Sequence, residues 1–512
     1  MMYGVVGNYL LQIFRKTTIL TIFVIVMRNV SETQANRIAK IPMAMVVIPF
    51  ALGIFFANAV QVPAWLLFLA CGVGLVGAIF LTRWWQATAL FAMVFLAGAT
   101  LHTISYRGDV PYKQLLEMRL EVESSSVERK GYTSAEATIE ACEDNALNGR
   151  KVVLWSDSLT RFTAGDRLQL ITKVRPFRAE REQYARLMHH RGFVGSVSVG
   201  HLDPFEYIPA KKGSLHDWAV ERLRGAMPEG DRRAVVLAMT TGERSEISQE
   251  LRESYSASGA SHLLAVSGLH IGIAFMLINI LLLPLVLLRH GNVVRSVLAI
   301  ALVWLYVWLC GMSPSAVRAA IMFSFLQFSL SSLREYDSVN ILSTTAFAML
   351  AFNTHLLFDI SFQLSFVAVA AIVLWAMPLY RLCATRFKAI NAVVGVLLVG
   401  LASTIATLPL VANTFSTISL IGILINPVVI LLANIVVLVG VIALAFPAVG
   451  VVAEWAAEWQ NRLVEWAASL QYGHFDVTIP EWTMWVVYAL FAFATTIFWL
   501  APNEKKEQKI EG

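Results

Sequence analysis

Residues 254–283 read SYSASGASHLLAVSGLHIGIAFMLINILLL, and this stretch decides the fold class. The apolar segment that begins inside it, 263–288, is long enough to cross a hydrocarbon layer of about 30 Å, which takes about 20 helical residues. The segment nevertheless begins with His262, Ser267 and His270. Ionisable side chains at membrane depth are costly unless they face protein or water, so these histidines predict a polar pathway or a functional site.

The composition of the whole chain excludes an ordinary soluble globule. Of its 512 residues, 57% are hydrophobic and 15% are charged, and the mean hydropathy is +0.64. Further apolar segments approach the length of a span, so we expect a polytopic α-helical membrane protein with about 10–12 spans. These segments are 41–60, 63–82, 87–105, 297–312, 315–333, 339–357, 360–380, 391–412, 418–447 and 484–501.

Lysine and arginine collect in the cytoplasmic loops of membrane proteins, so their positions predict the topology. They assign residues 1–40 to a cytoplasmic N-terminal segment, 41–105 to three spans and 106–212 to the outside. The charged tail 502–512 is again cytoplasmic. The positions that carry this pattern are Arg28, Arg37, Lys40, Arg83, Arg289, Arg295, Lys505 and Lys506.

Two segments fit this topology in more than one way. The apolar run 17–27 is too short to span, and is either a signal-like segment or a region upstream of a true start at Met27 or Met43. Residues 418–447 have to cross an even number of times or re-enter the membrane. Asn426-Pro427 in their middle favours a broken pair of helices.

The outside segment 106–212 has the pattern of a small β domain inserted after the third span. Alternating β-branched and aromatic runs separated by turn residues predict a small barrel or sandwich. The helical spacing that follows predicts an amphipathic connector over 213–260, and a similar pattern recurs at 452–470. The predicted strands are 117–123, 132–139, 151–155, 167–174 and 193–199.

A basic run crosses the second half of the β segment. Between 161 and 191, eight Lys or Arg stand against three Asp or Glu, whereas 106–212 as a whole holds 17 basic and 15 acidic residues. The run predicts either a solvated face or a nucleic-acid patch, and the overall balance favours the solvated face. The candidate DNA-binding residues are Arg167, Lys173, Arg175, Arg178 and Arg181.

Polar residues of several spans are expected to meet near the outer surface. The helices that begin at about 263, 315 and 360 all start outside in this topology, so their first turns share a leaflet. Arg318 and Asp359 are the formal charges nearest these starts, and pairing them would lower the desolvation cost of each. Such a pair is either a structural lock or part of a conduit. The candidate pathway residues are His262, Ser267, Gly268, His270, Ser315, Arg318, Asp359, Gln363 and Asn426.

The sequence lacks several signatures of catalytic chemistry. It contains no G-x-x-x-x-G-K-[ST] phosphate loop and no H-E-x-x-H zinc motif. His189-His190 has no acidic partner at metal-ligand spacing. We therefore expect no catalytic residues, no metal and no cofactor.

Four motifs occur in an order that resembles the ComEC family of competence proteins. They are Gly242-Glu243-Arg244, the run 261–271 (SHLLAVSGLHI), the run 315–322 (SAVRAAIM) and the run 362–366 (FQLSF). The resemblance implies an OB-like barrel in 106–212 and a transmembrane channel domain over 261–501. It further implies a multi-pass protein of the bacterial inner membrane that admits single-stranded DNA during natural transformation.

The same resemblance implies partners beyond DNA and the lipid bilayer. They are a periplasmic DNA-binding competence protein, a cytosolic DNA-translocating ATPase and other copies of this chain. Many members of the family end in a metallo-β-lactamase-like domain marked by a histidine and aspartate cluster. That cluster is absent from this sequence, so the resemblance is to a short form, and we expect no nuclease activity from it.

Two other functional classes remain open on the residues. Ser267 and His270 in one leaflet suggest an intramembrane serine hydrolase, although a base one helical turn away on the same helix reaches the hydroxyl poorly. Broken helices at membrane depth suit a small-solute transporter, although the two halves of the chain show no repeat.

Overall fold

A computed structural model gives the fold of the chain. It describes residues 43–500 except 61, 81–82, 106–113, 124–126, 130–131, 145–146, 158–161, 164, 178–184, 186–187, 189–191, 201–204, 210–212, 332–337, 384, 416, 471–473 and 477–480. The chain divides into two compact units. The first unit is Met1–Arg107 with Asp337–Leu357, and the second is Gly108–Tyr336 with Phe358–Gly512.

The helices and strands follow one another along the chain with short 3₁₀ turns between some of them. In chain order they are α1 (Ala44–Ala59), α2 (Ala64–Phe80), α3 (Arg83–Ser105), β1 (Leu116–Val122), β2 (Val127–Arg129), β3 (Tyr132–Cys142), β4 (Lys151–Asp157), β5 (Arg167–Thr172), β6 (Phe193–Val199), β7 (Phe205–Ile208), α4 (Leu215–Arg224), α5 (Asp231–Thr240), α6 (Gln249–Ala257), α7 (Gly268–Leu281), α8 (Gly291–Leu309), α9 (Pro314–Ser331), α10 (Ser338–Phe352), α11 (Ile360–Ala371), α12 (Met377–Cys383), α13 (Lys388–Phe415), β8 (Thr417–Ser419), α14 (Leu420–Ala445), α15 (Gly450–Ala468), β9 (His474–Asp476) and α16 (Glu481–Leu500).

In the first unit, α1 and α3 cross with their backbones in contact. A Cβ atom on Gly53 would lie 1.9 Å from the carbonyl oxygen of Phe95, and one on Gly98 would lie 2.2 Å from that of Phe50. Small residues allow this approach in apolar helix pairs, where van der Waals packing replaces the hydrophobic effect. Glycine is therefore required at both positions.

Helix α10 joins this unit although it is more than 200 residues away in sequence from α3. The backbone N–H of Met43 donates to Asn340 Oδ1 at 2.7 Å. The rings of Phe50 and Phe347 meet edge to face with centroids 5.0 Å apart. The sequence predicts the three N-terminal helices, but no local pattern indicates that α10 packs with them.

We expect valine at Gly98 to destabilise the chain. The added side chain meets the backbone of α1, which cannot yield without separating the helices, and overpacking of this kind costs about 1–3 kcal/mol. The measurement is the thermal unfolding midpoint of the full chain in detergent. Gly72→Val in α2 is the matched control, because a Cβ there meets nothing within 4 Å. An equal loss in both variants would contradict the prediction.

Segment 106–212 folds as a seven-stranded sheet with the strand order β6-β4-β3-β1-β5-β7, and β2 pairs with β3. The pairing is antiparallel except between β4 and β6. The five strands predicted from alternation are confirmed with small changes at their ends. One face supplies a core that includes Met118, Leu120, Ile139, Val152, Leu154, Leu168 and Val197.

The OB-like barrel stays a prediction. The described ladders end at β6 and β7, and one antiparallel bridge between Arg175 and Ser196 links the segment after β5 to β6. Arg175 and Ser196 exchange both backbone hydrogen bonds at 2.8 Å. Gly195 is needed beside this bridge, since a Cβ there would lie 2.5 Å from the Arg175 carbonyl oxygen.

Helix α14 lies at the centre of the helical part of the second unit. Val429, Ala433, Val436 and Val437 are fully buried, and α14 packs against α5, α7 and α15. The helix is continuous from Leu420 to Ala445 with Pro427 inside it. The expected broken pair over 418–447 is therefore wrong: Pro427, the eighth residue of the helix, removes one interior backbone donor, and the packing of α5, α7 and α15 around the helix offsets that loss.

The connector 213–260 belongs to the same core. Residues Val235 to Thr240 of α5 are buried, and α5 packs against α14 and α15. On α15 the alanines Ala453, Ala456 and Ala457 are buried, whereas Trp455, Trp459 and Trp466 are exposed. Helices α4, α6 and α15 each have one buried and one exposed face, whereas residues 234–240 of α5 are buried on every side.

The chain is a helical membrane protein with a small sheet domain. By length and composition, four described helical segments qualify as spans: Gly291–Leu309, Ile360–Cys383, Val394–Thr414 and Ile425–Ala445. Six shorter apolar helices accompany them in the described part of the chain: Ala44–Ala59, Trp65–Gly74, Thr88–Ile104, Gly268–Leu281, Ser338–Phe352 and Trp482–Phe491. The count of about 10–12 spans stays a prediction.

Candidate functional site

The helical structure is broken between α6 and α7. Ser261–Leu264 form one 3₁₀ turn, residues 265–267 are extended or bent, and α7 begins only at Gly268. The expected continuous helix from 263 therefore starts about one turn late. Non-helical backbone at membrane depth is tolerated where protein buries it, and Val266 in this break is fully buried.

His270 and Ser315 bond the backbone of this break. The Ser267 N–H donates to His270 Nδ1 at 3.3 Å, and the Ser315 hydroxyl of α9 donates to the Val266 carbonyl. Because Nδ1 accepts, the neutral His270 ring carries its hydrogen on Nε2. That atom is buried without a hydrogen-bond partner among the described residues.

Arg318 lies one helical turn after Ser315 and is 4% exposed. Its Nε and Nη1 atoms are buried and have no hydrogen-bond partner among the described side chains and backbone groups. Asp359 acts electrostatically on this guanidinium. Asp359 also caps α11, because its side chain accepts the Phe362 N–H at 3.0 Å.

The two glycines at the start of α7 have a packing role. A Cβ on Gly268 would lie 3.7 Å from Ala319 Cβ, and one on Gly272 would lie 3.1 Å from the Phe323 ring. Both glycines therefore face α9 and set its distance from α7. This packing brings the Ser267–His270 pair and the Ser315–Arg318 pair together.

The remaining predicted pathway residues differ in their surroundings. Gln363 is half-buried on α11, one turn after Asp359, and α11 packs against α9. Asn426 lies near the start of α14, which packs against α7, and its Oδ1 is buried without a partner among the described residues. The His262 side chain is exposed. We call Ser267, His270, Ser315, Arg318 and Asp359 the polar cluster.

The geometry does not provide a serine hydrolase site. Nucleophilic activation needs a base nitrogen within hydrogen-bond reach of the hydroxyl. The His270 nitrogen that faces Ser267 instead accepts that residue's backbone amide. The hydrolase alternative thus has no geometric support in the described part of the chain.

The candidate DNA-binding residues that the structure describes divide into two groups. Arg167 lies 3.7 Å from a Glu121 oxygen and 3.5 Å from a Glu140 oxygen, so its charge is compensated. Lys173 and Arg175 are exposed. Arg178 and Arg181 lie outside the described residues.

The sequence analysis does not predict the polar contacts of His216. His216 of α4 bonds through Nδ1 to the carbonyl oxygen of Leu309 at 2.7 Å, and its Nε2 lies 3.8 Å from Glu243 Oε2. Leu309 ends α8, so a protonated His216 caps the negative end of the helix dipole. The signal was present in the motif Gly242-Glu243-Arg244, but the histidine is 27 residues upstream of the glutamate.

The pKa shifts of His216 and Glu243 have the directions expected of an ion pair. The hydrogen bond to Glu243 raises the pKa of His216, although burial opposes it. Burial disfavours the charged form of Glu243, but hydrogen bonds from His216 and Ser245 outweigh it and lower the pKa of Glu243 to about 2.

We expect His216→Gln to remove a pH-dependent part of the stability. A raised folded-state pKa stabilises the chain below the ordinary histidine value of 6.5, and this contribution disappears as the pH rises through the folded pKa. The contribution of Glu243 is present above 4.5 and is lost as the pH falls through about 2. The measurement is the unfolding midpoint of the full chain between pH 5 and pH 9.

The wild type should lose about 1–2 kcal/mol of stability above neutral pH through this contact. The His216→Gln variant should have a lower unfolding midpoint than the wild type at pH 5. Its midpoint should also change less with pH over the same range. Glu243→Gln is the matched partner change, and the double variant should cost less than the sum of the two. A histidine variant that keeps the wild-type profile would contradict the assignment.

Comparison with known proteins adds the family context. A family model described as Competence protein matches residues 239–502. The chain is 28% identical to an uncharacterized protein of Aquifex aeolicus (strain VF5) over 58% of this chain and 64% of that protein. It is 28% identical to ComE operon protein 3 of Bacillus subtilis (strain 168) over 62% of this chain and 40% of that protein.

A shorter match covers 28% of this chain and 19% of the uncharacterized protein YcaI of Escherichia coli (strain K12), again at 28% identity. The chain thus spans less than two thirds of the length of the curated relatives it matches. No solved structure matches it.

Proposed function

Because the chain belongs to the competence protein family, we propose that it conducts DNA, as a single strand, through the bacterial inner membrane. The observation that carries the proposal is the polar cluster at the start of α7, α9 and α11. Hydrogen-bonding groups of buried His270 and Arg318 lie there without a partner among the described residues. Serine and arginine side chains contact nucleic-acid phosphates without sequence preference.

The energetic argument favours a functional role for the cluster. Each buried polar group without a partner costs about 1–3 kcal/mol, and a charged one costs more. The surrounding helices offset this cost by packing, but they would be more stable with apolar residues in its place. A passing phosphate would supply the missing acceptor for the guanidinium of Arg318.

The sheet domain is proposed to meet DNA first. It is an OB-like barrel on the outer side in this proposal, and its exposed cations attract phosphates through the release of counterions. Trp155 and Phe177 are half-buried and pack on the same small cluster, whereas Phe162 and Phe193 are buried. Charge contributes more than base stacking to this encounter.

We expect Arg318→Gln to block DNA entry without affecting DNA binding at the cell surface. Loss of a charged hydrogen-bonding group costs about 1.5–3 kcal/mol, so arrival of labelled DNA in the cytosol should fall at least about tenfold. The measurement uses a transformable host whose own gene is deleted and replaced by each variant. Surface-bound DNA and cytosolic DNA are scored separately.

Two variants control for charge and for insertion. Arg318→Lys keeps the charge and should retain part of the entry rate. Arg386→Gln changes an exposed arginine between α12 and α13, and should behave as wild type. Normal entry of DNA with Arg318→Gln at wild-type membrane levels would contradict the proposed pathway through the polar cluster.

We expect the double change Lys173→Gln and Arg175→Gln to weaken binding of single-stranded DNA to the purified full chain. Each lost phosphate contact should lower the slope of log affinity against log salt by about 0.7. Arg167→Gln is the matched control, since Glu121 and Glu140 already compensate its charge. An equal loss in the control would point to overall charge and contradict the specific patch.

A further inference from the structure

A groove opens between α7, α8 and α9 at the end of these helices away from the polar cluster. Its walls are apolar and include Met276, Ile280, Leu283 and Leu330, all of which are exposed. The ring of Phe275 lies at its back and stacks on Phe323 with centroids 4.8 Å apart. The groove is therefore an open, hydrocarbon-lined recess on a helical membrane bundle.

A single arginine is built into this apolar recess. Arg295 Nη2 donates to Asn279 Oδ1 at 3.0 Å, and Asn279 Nδ2 donates to the Phe275 carbonyl at 3.0 Å. The asparagine is thereby fixed and holds the guanidinium at the groove. Arg295 Nε is buried and has no hydrogen-bond partner among the described residues.

The charge of Arg295 calls for an anion from outside the chain. Among the salt bridges of the described residues, none brings a carboxylate within 4.0 Å of it. A planar guanidinium offers several donors to a phosphate, which makes phosphate a well-matched anion.

We propose that this groove binds one anionic phospholipid, with its phosphate at Arg295 and an acyl chain along Met276, Ile280 and Leu283. The combination of a fixed cation and hydrocarbon walls selects a molecule that carries both an anionic head and an apolar tail. The lipid belongs to the leaflet at this end of the bundle, which the arginine pattern predicts as cytoplasmic. The site does not depend on the proposed DNA function.

Occupancy of this site would tie together the helices that carry the polar cluster at their other ends. Each of α7, α8 and α9 contributes to the groove, and α7 and α9 begin with residues of the cluster. A ligand that binds the folded chain stabilises it by mass action. The lipid is thus expected to hold the three helices in their packed arrangement.

The test counts lipids bound to the purified full chain in detergent by native mass spectrometry. Phosphatidylglycerol is titrated against phosphatidylcholine with the same acyl chains. The wild type should bind phosphatidylglycerol about tenfold more tightly, and Arg295→Gln should abolish that preference. Arg295→Lys should keep part of it, while Ile280→Trp should weaken the binding of both lipids by filling the groove.

Arg289→Gln is the matched control, because it removes an exposed cation at the same end of the bundle. The proposal is overturned if Arg295→Gln keeps the preference for phosphatidylglycerol, or if Arg289→Gln loses that preference equally through general surface charge.

Inorganic phosphate is the last probe. Displacement of the lipid by millimolar phosphate would identify a free-anion site and overturn the lipid assignment. If Arg295→Gln fails to fold, Arg295→Lys and Ile280→Trp still decide the outcome.

Discussion

Backbone hydrogen bonding at the break before α7 is the constraint on which the rest of the helical structure depends. Residues 265–267 leave the helical conformation inside the bundle, so their polar groups need partners from the protein. His270 accepts the Ser267 amide and Ser315 donates to the Val266 carbonyl. The hydrogen bond from Ser315 fixes the start of α9 against the break before α7. It thereby places Arg318, one helical turn after Ser315, near that break.

The polar cluster and the groove around Arg295 are both found near helix ends. The polar cluster and the groove around Arg295 lie at opposite ends of α7 and α9, and the central parts of these helices pack through glycine and aromatic residues. Helix ends already carry backbone groups without helical partners, so side chains, phosphates and water meet there at lower cost than along a helix. The tightly packed α14 and α5 supply apolar burial that offsets this cost.

The connector between the sheet domain and the bundle is part of the hydrophobic core of the bundle. His216 caps α8 and pairs with Glu243, while Tyr306 of α8 donates to the Thr240 carbonyl at 3.0 Å. These contacts join α4, α5 and α8 through charge and backbone capping. A movement of the connector would therefore displace α8, and through α8 its neighbours α7 and α9.

The sequence by itself determined the elements that local periodicity specifies: the apolar helices, the strands β1, β3, β4, β5 and β6, and the polar residues at the helix starts. The spacing of apolar side chains along one strand or one helix indicates which of its faces is buried. Only the tertiary structure decided that α10 packs with α1, that α14 runs unbroken through Pro427 and that His216 meets Glu243. These outcomes depend on contacts between residues distant in sequence, whose packing and hydrogen-bond energies no local pattern encodes.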